Sequence, residues 1–210
     1  MGRQNKAKPQ TRTLAQRIAM ALINLAGWRV PPFPDVDKSV VVGGPHTSNW
    51  DGVIGLTAAV ALGVEARFLI KHNLFRGPLG WLLRRLGGVP VDRSKPGGVV
   101  GQAAREMMES DRLILAVTPE GTRSGAARWK TGFHHIALRT GVPIVVTVID
   151  YRHKELRFPL ILEPTEDLEA DLERIYECFA SVTPKHPEKL SEPVRVRYHA
   201  RSAAGDRETD

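Results

Sequence analysis

Short apolar runs rich in β-branched residues alternate with longer segments of helical periodicity along the middle of the chain. The strand-like runs are 39–42, 66–70, 113–117 and 144–149, and the helical segments are 50–62, 79–86, 98–110 and 133–140. Such alternation is typical of a sheet whose faces are covered by helices. The pattern therefore predicts a single α/β domain with a mixed, mostly parallel sheet flanked by helices.

The pattern becomes less regular in the last third of the chain. Residues 160–162 predict a further short strand, 168–179 an acidic amphipathic helix, and 194–198 a strand at the sheet edge. The polar residues 201–210 predict a disordered tail.

The N-terminal segment, residues 1–30, is basic at first and then mostly apolar. Residues 14–28 predict an amphipathic helix, interrupted by Arg17 and Asn24 and shorter than the roughly 20 apolar residues that cross a bilayer. The segment lacks the cleavage pattern of a secretory signal, and Lys6 breaks the myristoylation motif. Two interpretations remain, a helix lying in a membrane interface and a helix packed on the core of the main domain, residues 31–200.

Composition narrows the choice of partners. The 210 residues are 42% hydrophobic and 25% charged with a net charge of +7, and the first 100 residues contain 14 Lys and Arg against 5 Asp and Glu. A basic half of this kind attracts polyanions, either nucleic acid or an anionic membrane surface. Because the chain has no helix-turn-helix, zinc-finger or aromatic RNA-binding signature, we expect a membrane and no nucleic acid.

A single cysteine, Cys178, excludes an internal disulfide and favours a reducing compartment. It falls in a helical pattern and is predicted to be a buried small residue. The chain has no Cys/His cluster with zinc spacing and no calcium-loop pattern. We therefore expect neither a metal nor a cofactor.

Candidate chemistry lies in three loops that follow predicted strands, where open α/β sheets place functional residues. The loops are 43–51, 89–94 and 118–124. In the first, His46 and Asp51 have four residues between them. Positions five apart on one continuous helix point about 140° away from each other. A contact therefore requires His46 in the loop and Asp51 in the first turn of the following helix.

A carboxylate on one ring nitrogen would fix the tautomer of His46 and leave the other nitrogen free to accept a proton. This arrangement predicts a general base. With seven histidines and ten aspartates in the chain, the spacing alone also allows a structural histidine.

The third loop combines Glu120, Gly121, Thr122 and Arg123, a composition suited to an anion. The guanidinium of Arg123 offers two donors to phosphate oxygens, and Glu120 could hold that guanidinium or bind a substrate hydroxyl. Arg93 in the second loop could add another cation. The alternatives are a surface turn with a local ion pair and a solvated arginine.

Together these loops resemble the PlsC-like family of glycerophosphate and 1-acylglycerol-3-phosphate O-acyltransferases, which has a histidine-four-residues-aspartate motif and a Pro-Glu-Gly-Thr-Arg motif. The Pro-His-Thr-Ser-Asn-Trp-Asp string resembles a compact bacterial branch, and Pro45 stands where the family often has asparagine. Four blocks match in order within residues 40–146. They are His46 to Asp51, Lys71 to Arg93, Pro119 to Ser124 and Val142 to Val145.

The resemblance implies an O-acyltransferase of phospholipid biosynthesis with a glycerolipid acyltransferase-like fold. It implies a catalytic dyad of His46 and Asp51, and acceptor or phosphate-binding roles for Lys71, Arg93, Glu120, Gly121, Thr122 and Arg123. The donor would be acyl-CoA or acyl-carrier protein, and the acceptor a lysophosphatidic acid-like or another phosphate-bearing lipid. The expected place is the cytoplasm, peripherally on the inner face of the cell membrane.

Three alternatives stay open at this point. A non-glycerophosphate lipid is a possible acceptor, because the acceptor of the compact branch is less well defined. A serine hydrolase would use Ser48 or Ser124, although the chain contains no Gly-x-Ser-x-Gly elbow. A basic nucleic-acid-binding protein is the third alternative.

Overall fold

The structure is a computed structural model that describes residues 12–85, 87–91 and 98–205. The strands are β1 (Lys38–Gly44), β2 (Ala66–Lys71), β3 (Gly88–Val91), β4 (Leu113–Val117), β5 (Ile144–Asp150) and β6 (Glu155–Leu162). The helices are α1 (Leu14–Leu25), α2 (Asn49–Leu62), α3 (Gly77–Arg85), α4 (Gly98–Glu109), α5 (Gly132–Thr140), α6 (Leu168–Ala180) and α7 (Glu192–Gly205).

The strands form one sheet in the order β3-β2-β4-β1-β5-β6. Every pairing is parallel except that of β5 with β6, which is antiparallel. Parallel neighbours need crossover connections, and the helices between the strands provide them. The predicted fold class, a single α/β domain with a mostly parallel sheet, is confirmed.

One face of the sheet is covered by α4, α5, α6 and α7. Val40 and Val42 of β1 are fully buried here against Phe179 of α6 and their neighbours. A Cβ on Gly44, at the end of β1, would overlap the Phe179 ring. Glycine therefore lets β1 end directly against this core, which fixes where the following loop starts.

The other face is covered by α1 and α2, whose buried contacts involve Ala19 and Ile23 with Ala58 and Ala61. Helix α1 starts at an N-cap, Thr13, that forms a capping box with Gln16. It ends at Leu25, three residues before the predicted end. Within the described ranges, no helix combines the length and the apolar character that crossing a bilayer requires.

The edge strand predicted for Val194–Tyr198 is wrong, because these residues belong to α7. In a strand the apolar side chains at 194, 196 and 198 would share one face. In the helix Val194 is fully buried whereas Val196 is 58% exposed. Arg197 pairs with Glu173 of α6. Contacts with this neighbouring helix therefore favour a helix at these positions, although the alternation in the sequence predicts a strand.

Three other predictions also need correction. Residues 201–205, expected to start a disordered tail, are the end of α7. The strand expected at 160–162 is the end of the longer β6. Cys178 is half-buried on α6, packed against the core rather than fully inside it.

Candidate active site

The carboxyl ends of three neighbouring strands meet at one edge of the sheet. β1 lies between β4 and β5, so the loop after β1, the loop after β4 and the turn after β5 are adjacent. His46, Glu120 and Tyr151 come from these three connections. The topology thus brings together residues that are about 30 to 100 positions apart in the sequence.

His46 lies in the loop before α2, and Asp51 lies in the first turn of α2. The Nδ1 atom of His46 is 3.5 Å from Oδ2 of Asp51. The His46 side chain is 17% exposed and lines a large cavity. With Nδ1 beside the carboxylate, Nε2 is the ring nitrogen left for a substrate proton.

Asp51 is held by the start of α2 itself. Ser48 is the N-cap, and Asp51 is the third residue of the capping box that closes on it. Oδ2 of Asp51 accepts the backbone N–H groups of Thr47 and Ser48, both at 2.7 Å. The same carboxylate therefore caps the helix and lies next to His46.

Burial acts to raise the pKa of Asp51, but its hydrogen bonds with His46, Tyr151, Ser48 and Thr47 outweigh burial and lower that pKa. The carboxylate is consequently ionised at neutral pH although its side chain is only 2% exposed. A buried carboxylate next to Nδ1 orients the imidazole ring of His46.

Tyr151, which sequence reasoning missed, donates its hydroxyl to Oδ1 of Asp51 at 2.6 Å. It directly follows β5 and lies 100 positions from its partner. Its ring packs edge-on against Trp28, with ring centres 5.1 Å apart. No local motif marks the residue, so only the pairing of β5 with β1 could have indicated it.

Glu120 is buried and faces the loop that contains His46. Its Oε1 accepts the backbone N–H of His46 at 2.7 Å, and its Oε2 has no hydrogen-bond partner among the described residues. Desolvation by burial raises the pKa of Glu120 to about 7, against smaller opposing effects of the His46 N–H and the His46 charge. Through this hydrogen bond Glu120 supports the loop that contains His46.

Other residues of the 118–124 loop line the same cavity as His46. Gly121 adopts a φ of +64°, which only glycine takes readily. Thr122 and Arg123 are exposed and line the cavity. Lys130, a second residue that sequence reasoning missed, lines it too, and its Nζ lies 2.9 Å from the position of a Cβ on Gly121.

Two predicted site residues are not placed with the others. Arg93 lies outside the described residues. For Lys71 only the backbone is described, at the end of β2, where it pairs with Val91 of β3.

The cavity has a volume of about 1230 Å³ and runs along α2 from His46 to Val64. This exceeds the roughly 300–1,000 Å³ of usual small-molecule sites. Its wall is mostly apolar, formed by α2 on one side and by side chains of the sheet on the other. A Cβ on Gly52 or Gly55 of α2 would meet no atom within 4 Å, so these small residues leave open space instead of packing against protein.

Backbone donors at the start of α2 are largely occupied. The N–H groups of Thr47 and Ser48 bind Asp51, and that of Trp50 donates to Ser48 Oγ at 3.2 Å. These three N–H groups are thus already used within the protein. Ser48 Oγ is itself engaged as the helix cap, which leaves the serine-hydrolase alternative without a free nucleophile at position 48.

A model of the Acyltransferase family matches residues 24–150, more than half of the chain, including His46, Asp51 and the loop at 118–124. The chain belongs to the Acyltransferase family. Tyr151 lies one residue beyond the matched region. Among the described residues of this family member, no group of three or more His, Cys, Asp or Glu side chains is arranged to hold a metal.

Two curated relatives are named 1-acyl-sn-glycerol-3-phosphate acyltransferase. The chain is 34% identical to the one from Limnanthes alba over 116 residues, covering 51% of this chain and 40% of that protein. It is 29% identical to the one from Haemophilus influenzae over 135 residues, covering 61% and 55%. The chain therefore spans about half the length of the relatives it matches.

The fold is similar to a solved structure of the same family. The crystal structure of the 1-acyl-sn-glycerophosphate (LPA) acyltransferase PlsC from Thermotoga maritima superposes with a TM-score of 0.56. The alignment covers 79% of this chain and 75% of that chain at 19% sequence identity. This similarity shows that the chain shares the fold of that solved structure.

The pKa of Glu120 predicts how stability changes with pH. A folded-state pKa of about 7 against an ordinary value of 4.5 means that the folded protein binds this proton more tightly than the unfolded chain. The stabilisation is complete below about pH 4.5 and is lost as pH rises through 7. Relative to E120Q, which has no such group, the wild-type free energy of unfolding should fall by roughly 2.5 kcal/mol from pH 5 to pH 8.

Urea unfolding at several pH values measures this difference. The exposed Glu163 provides the matched control, because E163Q removes the same charge from the surface. Parallel stability curves for wild type and E120Q across this range would contradict the assignment of a buried, proton-binding Glu120.

Proposed function

We propose that this protein is an O-acyltransferase that moves a fatty acyl group from acyl-CoA or acyl-carrier protein to the hydroxyl of a lysophosphatidic acid-like lipid. The observation that supports this most is a histidine held beside a buried, ionised carboxylate at the polar end of a long apolar cavity. The family match and the names of the relatives agree with this proposal.

The dyad would act as a general base and then as a general acid. The acceptor hydroxyl transfers its proton to Nε2 of His46 while its oxygen forms a bond to the thioester carbonyl carbon. Asp51 stabilises the imidazolium. The tetrahedral intermediate then breaks its carbon–sulfur bond, and the leaving thiolate takes the proton from His46. No covalent acyl-enzyme is needed.

The cavity along α2 would hold the acyl chain. Its lining is apolar from Leu56 to Leu62, and burying each methylene contributes about 0.8 kcal/mol. The open space at Gly52 and Gly55 lies on the helix turns nearest Asp51. The chain would therefore start at the dyad, where the thioester must be, and extend along the helix.

The acceptor phosphate would bind the cations at the polar end of the cavity. Arg123 can offer a planar pair of donors and Lys130 a compact ammonium. Both line the same cavity as His46, which supports a phosphate position within reach of the dyad. Lys71 and Arg93 remain proposed members of this set on the resemblance alone.

Acyl transfer to a panel of acceptors tests the proposal. Purified protein should transfer label from acyl-CoA or acyl-carrier protein to a lysophosphatidic acid, and H46Q should lose activity by about 10²-fold or more because the base is gone. Labelling only of a phosphate-free lipid would replace the acceptor in this proposal with a non-glycerophosphate lipid. Absence of any transfer by the wild-type protein would refute it.

The arginine in the 118–124 loop makes a separate prediction about the acceptor. R123A should raise KM for a lysophosphatidic acid by roughly tenfold, as expected for loss of a charge-assisted phosphate contact, and should leave KM for a monoacylglycerol unchanged. R128A is the matched control, because Arg128 is exposed nearby but does not line the cavity. Equal effects of R123A on both acceptors would contradict phosphate binding.

We further propose that the protein binds peripherally to the anionic, cytoplasmic face of the membrane. Helix α1 exposes an apolar stripe at helical spacing, and α2, which packs beside it, exposes Trp50, Val53 and Val60. Arg67, Arg84 and Arg85 line a smaller cavity next to the C-terminal end of α2. An apolar face bordered by cations suits an anionic membrane interface. The α1 stripe consists of Leu14, Ile18, Leu22 and Leu25.

Vesicle sedimentation tests this contact. The double variant L22Q/L25Q should bind vesicles that contain phosphatidylglycerol several-fold more weakly than wild type, because two apolar side chains no longer enter the interface. The control M108Q/V196Q replaces two exposed apolar residues on α4 and α7. Equal loss of binding in both double variants would argue against α1 as the membrane contact.

A further inference from the structure

Tyr151 completes the hydrogen bonding of the catalytic carboxylate. Oδ2 of Asp51 accepts two backbone N–H groups and faces His46, whereas Oδ1 accepts only the Tyr151 hydroxyl among the described donors. Both carboxylate oxygens are thereby occupied. With both fixed, the carboxylate plane cannot rotate without breaking a hydrogen bond.

The ring and the backbone of Tyr151 both contact neighbouring residues. Trp28 packs against it edge-on, and the Tyr151 backbone N–H donates to Thr183 O at 2.9 Å. Lys185 Nζ lies 6.0 Å from the ring centre. The preceding Asp150 accepts the backbone N–H groups of Arg152 and His153, which fixes the turn. The hydroxyl is therefore directed at Asp51 by rigid surroundings.

Burial, and then the hydrogen bond to Asp51, raise the pKa of Tyr151 above its usual range. The phenol therefore stays protonated at neutral pH and donates to Asp51. A permanent donor on one oxygen withdraws negative charge from the carboxylate that faces the imidazole.

We infer that Tyr151 is a positioning residue of the reaction, one that orients Asp51 and limits the negative charge that Asp51 presents to His46. The hydroxyl does not contact the cavity, so it acts through Asp51 rather than on the substrate. The inference rests on the proposed acyl transfer for its kinetic consequence only. Its electrostatic consequence can be measured without turnover.

The sign of the effect follows from the charge. Without the hydroxyl, as in Y151F, Oδ1 of Asp51 loses its donor, and more negative charge faces the His46 ring. The other ionisable groups around His46 stay the same in both proteins and cancel in the comparison. They are Glu120, Arg123, Lys130, Lys185 and His186.

NMR of the histidine ring protons measures this effect, with the His46 resonance assigned by its loss in H46Q. We expect the His46 ring-proton resonances of Y151F to differ from those of wild type at the same pH. The acid limb of the pH profile of kcat/KM should move relative to wild type. The kcat at its pH optimum should fall about tenfold with little change in KM, because Asp51 is less well oriented.

Y176F is the matched control, since it removes a phenolic hydroxyl from a ring that packs edge-on against Trp129, away from the dyad. Y176F should leave the His46 ring-proton resonances unchanged. If Y151F lowers only the melting temperature, and the His46 resonances and the pH profile match wild type, Tyr151 is a structural residue and the inference is wrong. A protein without acyl transfer that still shows the NMR shift would refute the proposed function and leave the electrostatic link intact.

The wild-type protein provides a second measurement in case Y151F does not fold. The hydroxyl proton shared with Asp51 should give a slowly exchanging, downfield proton resonance, and D51N should shift it. Identical spectra of wild type and D51N in that region would overturn the inference.

Discussion

The carboxylate of Asp51 is the group on which the geometry of the site depends. It caps the first turn of α2, accepts two backbone N–H groups of the loop that contains His46, faces the imidazole and accepts the Tyr151 hydroxyl. A buried charge is costly unless hydrogen bonds compensate it. Here the compensating groups belong to the loop and the turn that form the site. The hydrogen bonds that stabilise the charge of Asp51 therefore also fix the shape of the site.

The sheet topology makes this arrangement possible. β1 is central, and its neighbours β4 and β5 deliver the Glu120 loop and Tyr151 to the same edge. Gly44 ends β1 against the Phe179 ring, while α2 starts at Ser48. The loop between them is short and supported from both sides. The long apolar cavity then begins beside His46 and follows α2, because glycine and alanine on that helix leave space next to the sheet.

Much of this could be predicted from the sequence because its signals are local. The alternation of strand-like and helical segments indicated the sheet, and the spacing of His46 and Asp51 required a loop followed by a first helical turn, as the structure has it. Tyr151 and Lys130 could not be predicted, because their positions depend on contacts between strands and loops that are distant in sequence. The residues 194–198 were assigned to a strand because their alternation is local, whereas Arg197 and Val194 contact α6 and the core. The side chain of Glu120 was expected to face the acceptor, and its burial depends on how the loops pack.

The rate of acyl transfer by D51N at saturating donor and acceptor tests the role of this carboxylate most directly. Asparagine keeps the size and one carbonyl oxygen but removes the negative charge that favours the imidazolium. The geometry predicts a fall in kcat of about 10²-fold or more, with a folded protein by circular dichroism. A folded D51N that transfers acyl groups at the wild-type rate would show that His46 needs no carboxylate partner and would contradict the mechanism.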